Sequence, residues 1–214
     1  MYLVKEMFYS LQGEGAQAGR PSVFCRFSGC NLWNGKESGR ANAQCSFCDT
    51  DFVGTDGNNG GKFRHAAEVA DAVAALWPAG NPGKPYVVCT GGEPLMQLDD
   101  ALIAAFHERG FEVAVETNGT LEAPAGIDWL CVSPKAGCEL KQRSGHELKL
   151  IYPQAENDPQ DFANMDFDNF YLQAKDETVL GGVANQNLQA TLQYCLTHPQ
   201  WRLSMQMHKI VGIE

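Results

Sequence analysis

The sequence predicts an α/β fold: an incomplete, splayed parallel β/α barrel of about six strands with fewer helices than strands. Three observations lead there. Short apolar runs alternate with segments of helical period along most of the chain. Polar residues and glycines follow the apolar runs at their C-terminal ends, where a parallel barrel gathers its active-site loops. The chain has 214 residues, short of the roughly 250 of a full eightfold barrel, and several connections are too short for a helix.

The elements follow in order. Val4–Ser10 is apolar-rich and stops at glycines, so it reads as a strand, with Leu11–Gly15 (L-Q-G-E-G) as the loop after it. Two glycines within that pentapeptide allow backbone to approach a ligand closely, and Gln12 and Glu14 offer an amide and a carboxylate to a heterocycle's donor–acceptor edge. A plain turn explains the pentapeptide equally well. Ser22–Phe27 is the second strand, with Arg26 near its end as either a surface ion-pair partner or a bidentate clamp for a carboxylate. Gly54–Gly61 is a flexible loop without the spacing of a phosphate-binding motif. His65–Trp77 is a helix with Val69, Val73, Leu76 and Trp77 on one stripe, stopped by Pro78. Tyr86–Cys89 is continuously apolar, as in a strand covered on both faces, and it runs into Thr90-Gly91-Gly92-Glu93-Pro94.

A helix over Leu98–Glu108 buries Leu98, Leu102, Ala105 and Phe106 and stops at Gly110. Strands are expected at Glu112–Thr117, Trp129–Ser133, Glu147–Ile151, Asn169–Gln173 and Arg202–Met207. A short helix is expected near Asp158–Met165 and a longer one over Gln186–His198. With no internal repeat, long linker or low-complexity segment, residues 1–214 read as one domain.

Composition narrows the function classes. Hydrophobic residues make up 44% and charged residues 20%, as in an ordinary globular protein. The formal charge of −10 argues against a protein that binds nucleic acid by neutralising phosphates. No apolar run approaches the roughly 18–20 residues of a membrane span, so no membrane partner is expected. Met1–Ser10 lacks the apolar core of a signal peptide, which points to the cytoplasm and to eight reduced cysteines.

The chemistry gathers between Cys30 and Cys48. Three cysteines fall there as Cys30, fourteen residues, Cys45, two residues, Cys48. Thiolates suit zinc or iron–sulfur clusters. Structural zinc usually takes four protein ligands, and Cys25 could complete a knot with these three. A cubane held by three cysteines instead leaves one iron open to a small molecule. Cysteine spacing alone leaves both open.

The rest of the chain bears on the choice. Cysteines ending in C-x-x-C, with G-G-E-P after a strand, resemble the radical S-adenosylmethionine (SAM) enzymes, although fourteen residues stand here where most members carry three. A fuller set is similar to the 7-carboxy-7-deazaguanine synthase family: L-Q-G-E-G at Leu11–Gly15, F-C-R-F-S-G-C-N-L at Phe24–Leu32 and C-D-T at Cys48–Thr50. C-T-G-G-E-P at Cys89–Pro94, E-T-N-G at Glu116–Gly119, V-S-P-K at Val132–Lys135 and Q-M-H-K at Gln206–Lys209 continue it in the family's order. Lys175–Asn187 and Ile210–Glu214 carry no close family pattern.

The resemblance implies a reaction: 6-carboxy-5,6,7,8-tetrahydropterin becomes 7-carboxy-7-deazaguanine with loss of ammonia, on the path to 7-deazapurines such as queuosine. A reduced [4Fe-4S] cluster donates one electron to the sulfonium of SAM, while the protein orients the cofactor and excludes water.

It also implies roles. Cys30, Cys45 and Cys48 hold the cluster. Gly91 and Gly92 let backbone approach the methionyl group of SAM, and Glu93 accepts from its ammonium. Phe47 and Asp49 flank the last ligand and touch the nucleoside. Glu116, Asn118, Ser133, Pro134, Lys135 and Gln173 line the SAM side. Leu11, Gln12, Gly13, Glu14, Arg26, Thr90 and His208 form the substrate set, with Arg26 on the substrate carboxylate. Thr50, two residues past Cys48, offers a hard hydroxyl oxygen suited to Mg2+, which keeps several waters and needs few protein ligands.

An electron donor such as flavodoxin and a homodimer complete what the family implies. Two rivals remain: a radical SAM activase that installs a glycyl radical on a partner protein, and a zinc-stabilised interaction module. The activase has no use for L-Q-G-E-G or C-D-T.

Overall fold

The computed structural model describes residues 1–80, 82–176 and 186–213. Among these residues one sheet contains β1 (Tyr2–Leu11), β2 (Pro21–Phe27), β3 (Gly61–Phe63), β4 (Tyr86–Gly91), β5 (Glu112–Thr117), β6 (Trp129–Val132), β7 (Ser144–Tyr152), β8 (Asp166–Ala174) and β9 (Trp201–Ser204). The helices are α1 (Ala66–Leu76), α2 (Asp100–Glu108), α3 (Gln186–Thr197) and the short α4 (Met207–Val211). Strand order is β3-β1-β2-β4-β5-β6-β7-β8-β9, with β3 and β9 at the two edges, so the barrel stays open.

From β2 through β4 to β9 every pairing is parallel. That run has seven strands against about six expected, and β1 pairs antiparallel to both β2 and β3. The difference has a physical cause. The β1–β2 connection is too short for a crossover, and strands joined that closely must run antiparallel. The three residues of β3 end the Gly/Asn-rich loop and are too few to show a period.

Side chains alternate across the strands. One face carries Val23, Cys25, Val87, Cys89, Val113, Leu148 and Leu150, which form a single apolar core with Val69 and Val73 of α1 and Leu102 and Phe106 of α2. Burial of each large side chain there stabilises the fold by about 1.5–3 kcal/mol. Each of these helices has a defined start. The Glu68 carboxylate accepts from the Arg64 and His65 amides at 2.7 and 3.3 Å, and Asp99 accepts from the Leu102 amide at 2.9 Å. The opposite face, inside the open barrel, has a small apolar base of Tyr86, Val88 and Ala114. Beyond that base it turns polar, with Glu116, Glu147, Lys149, Gln173 and Ser204 all on strands and facing inward.

Two segments differ in kind from the sequence reading. Asp158–Met165 narrows to a 3-10 turn at Pro159–Phe162. The last strand ends at Ser204, and Met207 begins α4, so the Q-M-H-K motif enters a helix. Of the segment without a family pattern, residues 177–185 lie outside the described residues, as does residue 214. No helix among the described residues is long and apolar enough to cross a membrane.

Candidate active site

The C-terminal ends of the parallel strands open into a cavity of about 400 Å³. Cys30, which follows β2, lines it together with Cys45 and Cys48. The Cys45 thiol donates to Cys48, which holds the Cys48 thiol down to about 6, while that bond and burial push the Cys45 thiol up. The Leu32 amide donates to Cys30 Sγ at 3.4 Å. Three sulfurs lining one cavity, with an amide pointed at one of them, fit an iron–sulfur cluster. Cys25 points the other way. It is fully buried in the helix-side core beside Cys89, and burial pushes its thiol up. A four-cysteine zinc knot cannot form from that arrangement.

The fourteen-residue excursion is tied down by Arg40. Its guanidinium donates to the carbonyls of Ser46 at 3.0 Å and Cys48 at 2.9 Å, pairs with Glu37 at 2.8 Å, and lies 4.3 Å over the Trp33 ring. Trp33 in turn packs edge-on against Phe52. One planar donor fork thus joins the middle of the excursion to its cysteine end.

Gly91 and Gly92 form the cavity floor beside the cysteines. Gly91 has φ of +127°, and a Cβ on it would strike the Phe27 backbone. A Cβ on Gly92 would strike the Gly29 carbonyl and Cys30. This backbone cradle suits close approach of a small polar group.

Glu93 departs from expectation. It is fully buried and does not line the cavity. Its carboxylate accepts from the Leu95 amide at 3.0 Å, the Thr117 hydroxyl at 2.8 Å and the Asn118 amide at 2.8 Å. Burial raises its pKa. Glu93 therefore braces the β4 and β5 ends from behind, its acceptors turned to the protein. Pro134 also departs: it borders a second hollow with Cys138 and Asn157, which Cys30, Cys45 and Cys48 do not line.

The other expected positions meet in the main cavity: Leu11, Gln12, Gly13, Glu14, Arg26, Phe47, Asp49, Thr50, Thr90, Glu116, Asn118, Ser133, Lys135, Gln173 and His208 all line it. Several are already engaged. Arg26 Nε donates to Glu6 Oε1 at 2.8 Å. Lys135 Nζ donates to the Ser133 carbonyl and hydroxyl, both at 2.7 Å. Gln12 accepts from the Glu14 amide at 3.1 Å and donates to Glu116 at 3.1 Å. His208 lies against Gly13, whose carbonyl accepts from the Met207 amide at 2.9 Å.

Sequence reasoning missed the cation at the centre. Lys149 of β7 is 3% exposed, and its ammonium donates to Glu14 Oε2 at 2.7 Å and Glu116 Oε2 at 2.8 Å. Glu14 Oε1 accepts from Gln173 and Gln206, each at 3.0 Å. Burial alone raises the Glu14 carboxyl, but the Lys149 charge and these donors outweigh it and hold the group down to about 2. For Lys149, burial lowers the pKa and the Glu116 and Glu14 charges raise it further, so it lies well above its usual value. The signal was present in Glu147–Ile151: two charged residues alternate with two leucines, so both charges share the inner face. Lys209 was missed as well. It joins Asp49 at 2.7 Å and Asp176 at 2.6 Å, closing the C-terminal helix over the cavity edge.

Comparisons with known proteins bear on the family and the fold. The radical SAM superfamily profile matches residues 38–149, just over half of the chain. The chain is 61% identical to the 7-carboxy-7-deazaguanine synthase of Caulobacter vibrioides and 60% identical to that of Bradyrhizobium diazoefficiens, each match covering 99% of both chains. The enzyme of that name from Bacteroides thetaiotaomicron is 38% identical over 100% of this chain and 99% of its own. The crystal structure of QueE from Escherichia coli shares the fold, with a TM-score of 0.69 over 97% of this chain and 94% of that one, at 24% identity. An open α/β sheet with three cysteines at its mouth is that of a radical SAM protein. Such proteins use a [4Fe-4S] cluster and SAM. Within that superfamily, the chain belongs to the 7-carboxy-7-deazaguanine synthase family.

Proposed function

We propose that this protein is a radical SAM lyase that converts 6-carboxy-5,6,7,8-tetrahydropterin to 7-carboxy-7-deazaguanine with loss of ammonia. One observation carries the reading: the three cluster cysteines, the Gly91-Gly92 cradle and the L-Q-G-E-G loop share a single cavity. When bound, the cluster and SAM supply one-electron cleavage of the sulfonium.

The chain's own residues do the rest. Cys30, Cys45 and Cys48 hold the cluster. Backbone at Gly91 and Gly92 receives the methionyl end of SAM, and Phe47, Asp49, Asn118, Ser133 and Lys135 border the remainder. Arg26 takes the substrate carboxylate with the guanidinium N–H groups that Glu6 does not engage. Gln12 and Glu14 fix the aminopyrimidinone end, and Thr90 and His208 flank the ring. Thr50 would hold Mg2+ through its hydroxyl oxygen, and the ion would supply charge stabilisation beside the substrate. The seating of α4 against Gly13 and Asp49 limits water at the reacting atoms. A homodimer belongs to the same reading through the family resemblance, and cytoplasmic location and a flavodoxin-like electron donor are proposed with it.

The reading is tested by SAM cleavage and bound iron in single cysteine variants. Cys30→Ala, Cys45→Ala and Cys48→Ala are expected to lose the cluster absorbance and pterin-dependent SAM cleavage, and Cys25→Ala to keep both. Cluster loss in Cys25→Ala, or pterin-independent cleavage that follows an added partner protein, would contradict it.

A further inference from the structure

We propose that Lys149 is a positioning residue that fixes Glu14 as an anionic acceptor and thereby makes the cavity select a ring with an N–H donor edge over one with a carbonyl there. The inference rests on the pterin reading above.

The geometry is a buried cation between two carboxylates from distant parts of the chain, Glu14 in the β1–β2 loop and Glu116 on β5. Packing alone does not ask for a lysine here, because a buried ion pair is commonly replaced by apolar residues at no cost in stability. Its effect is on what the carboxylates can accept. A carboxylate has about four acceptor positions. In Glu14 the Gln173 and Gln206 amides occupy Oε1 and Lys149 occupies one side of Oε2. Among the described residues, one acceptor position is then left on Oε2. Glu116 accepts from Lys149 and Gln12 and keeps about two of its four positions. The free capacity left on these two carboxylates is therefore acceptor alone. A 2-amino-4-oxo pyrimidine ring presents an amino group and a ring N–H to it. A 2,4-dioxo ring presents a carbonyl in place of the amino group and meets the carboxylate lone pair to lone pair. Sites built to hydrogen-bond a polar group reject the analogue that lacks it strongly.

Without Lys149, Glu14 is a carboxylate removed from water without its cation, and burial favours its neutral form. A protonated Glu14 can turn a donor to the ligand, and the selection disappears. The titratable groups around the Lys149–Glu14 pair are Lys149 itself and Glu147 on β7, Glu116 on β5 and Cys131 on β6, with His208 of α4 against the neighbouring Gly13. Of these, only Lys149 and the imidazole of His208 can carry positive charge.

The test uses reconstituted holoenzyme with SAM, and two stable probes, 6-carboxypterin and 6-carboxylumazine, titrated from pH 5.5 to 8.5. Dividing variant by wild-type affinity at each pH cancels the ionisation of the free probes. Wild type is expected to prefer the pterin by about a hundredfold or more. Lys149→Met is expected to bind the pterin at least about tenfold more weakly at pH 6, to recover as pH rises and Glu14 ionises, and to lose the preference at low pH. The double variant Lys149→Met/Glu14→Gln replaces the ion pair with neutral groups, which keeps the test alive if the single variant fails to assemble. It is expected to bind weakly, with little preference and no such pH dependence. Uniform weakening of Lys149→Met across pH with the preference intact, or a full preference in the double variant, would overturn the proposal and leave the function standing. Failure of the wild type to bind 6-carboxypterin would overturn both.

Discussion

Arg26 Nε stands 2.8 Å from Glu6 Oε1, directly across the antiparallel β1–β2 pair. The same guanidinium lies 5.8 Å from the Phe8 ring centre. Glu6 thus fixes the plane of a fork whose remaining N–H groups border the cavity. Arg26→Lys keeps the charge and loses the fork. Substrate affinity is expected to fall about tenfold or more with SAM affinity unchanged, as read by separate binding titrations. Glu6→Gln keeps an acceptor for Nε and is expected to cost less than Arg26→Lys.

Arg40 is predicted to matter through the loop it holds. It makes two hydrogen bonds to the carbonyls of Ser46 and Cys48 and stacks on Trp33. Hydrogen bonds to charged groups are worth about 1.5–3 kcal/mol each, so Arg40→Ala frees the cysteine turn without touching a sulfur. Iron and sulfide per chain after anaerobic reconstitution are expected to drop clearly, while thermal unfolding of the cluster-free protein moves little. Arg40→Lys is expected to restore only part of the iron, because a point charge cannot meet both carbonyls and Glu37 together.

How much of this was legible beforehand varies with the range of the signal. The three-cysteine spacing, the Gly91-Gly92 turn and the apolar stripes of α1 and α2 are local patterns, and each falls where the sequence puts it. Glu93 misled because a carboxylate after two glycines reads as facing the ligand, whereas the β5 end supplies Thr117 and Asn118 to it from behind. Lys149 was hidden for a similar reason. Its partners lie 135 and 33 residues away, and no window of sequence contains the pair. The β3 strand is three residues long and exists only through its pairing with β1.

Thr50 borders the cavity two residues after Cys48, between Asp49 and Asp51. Thr50→Ala is expected to assemble the cluster and cleave SAM as wild type does, but to lose the gain in turnover that added Mg2+ gives after thorough chelation. Rates measured with and without the ion check this. A wild type indifferent to magnesium, or a variant that responds to it equally, removes the site.

Acid should release the Glu14 anchor. Burial raises this carboxyl, and Lys149, Gln206 and Gln173 bring it from 4.5 down to about 2. A group depressed on folding stabilises the protein above its unfolded value, and the gain is lost as pH falls toward the folded one. Stability should therefore decline from about pH 4.5 toward pH 2. Glu14→Gln should be less stable at neutral pH and show a shallower decline through that window, as followed by denaturant unfolding at a series of pH values.

The most direct test is the product. Anaerobically reconstituted enzyme is given SAM, Mg2+, a one-electron reductant and 6-carboxy-5,6,7,8-tetrahydropterin, and the mixture is read by mass spectrometry and an ammonia assay. The account predicts 7-carboxy-7-deazaguanine and ammonia in equal amounts, both absent with Cys48→Ala. SAM consumption without that product, or product formation by the Cys48→Ala protein, would contradict it.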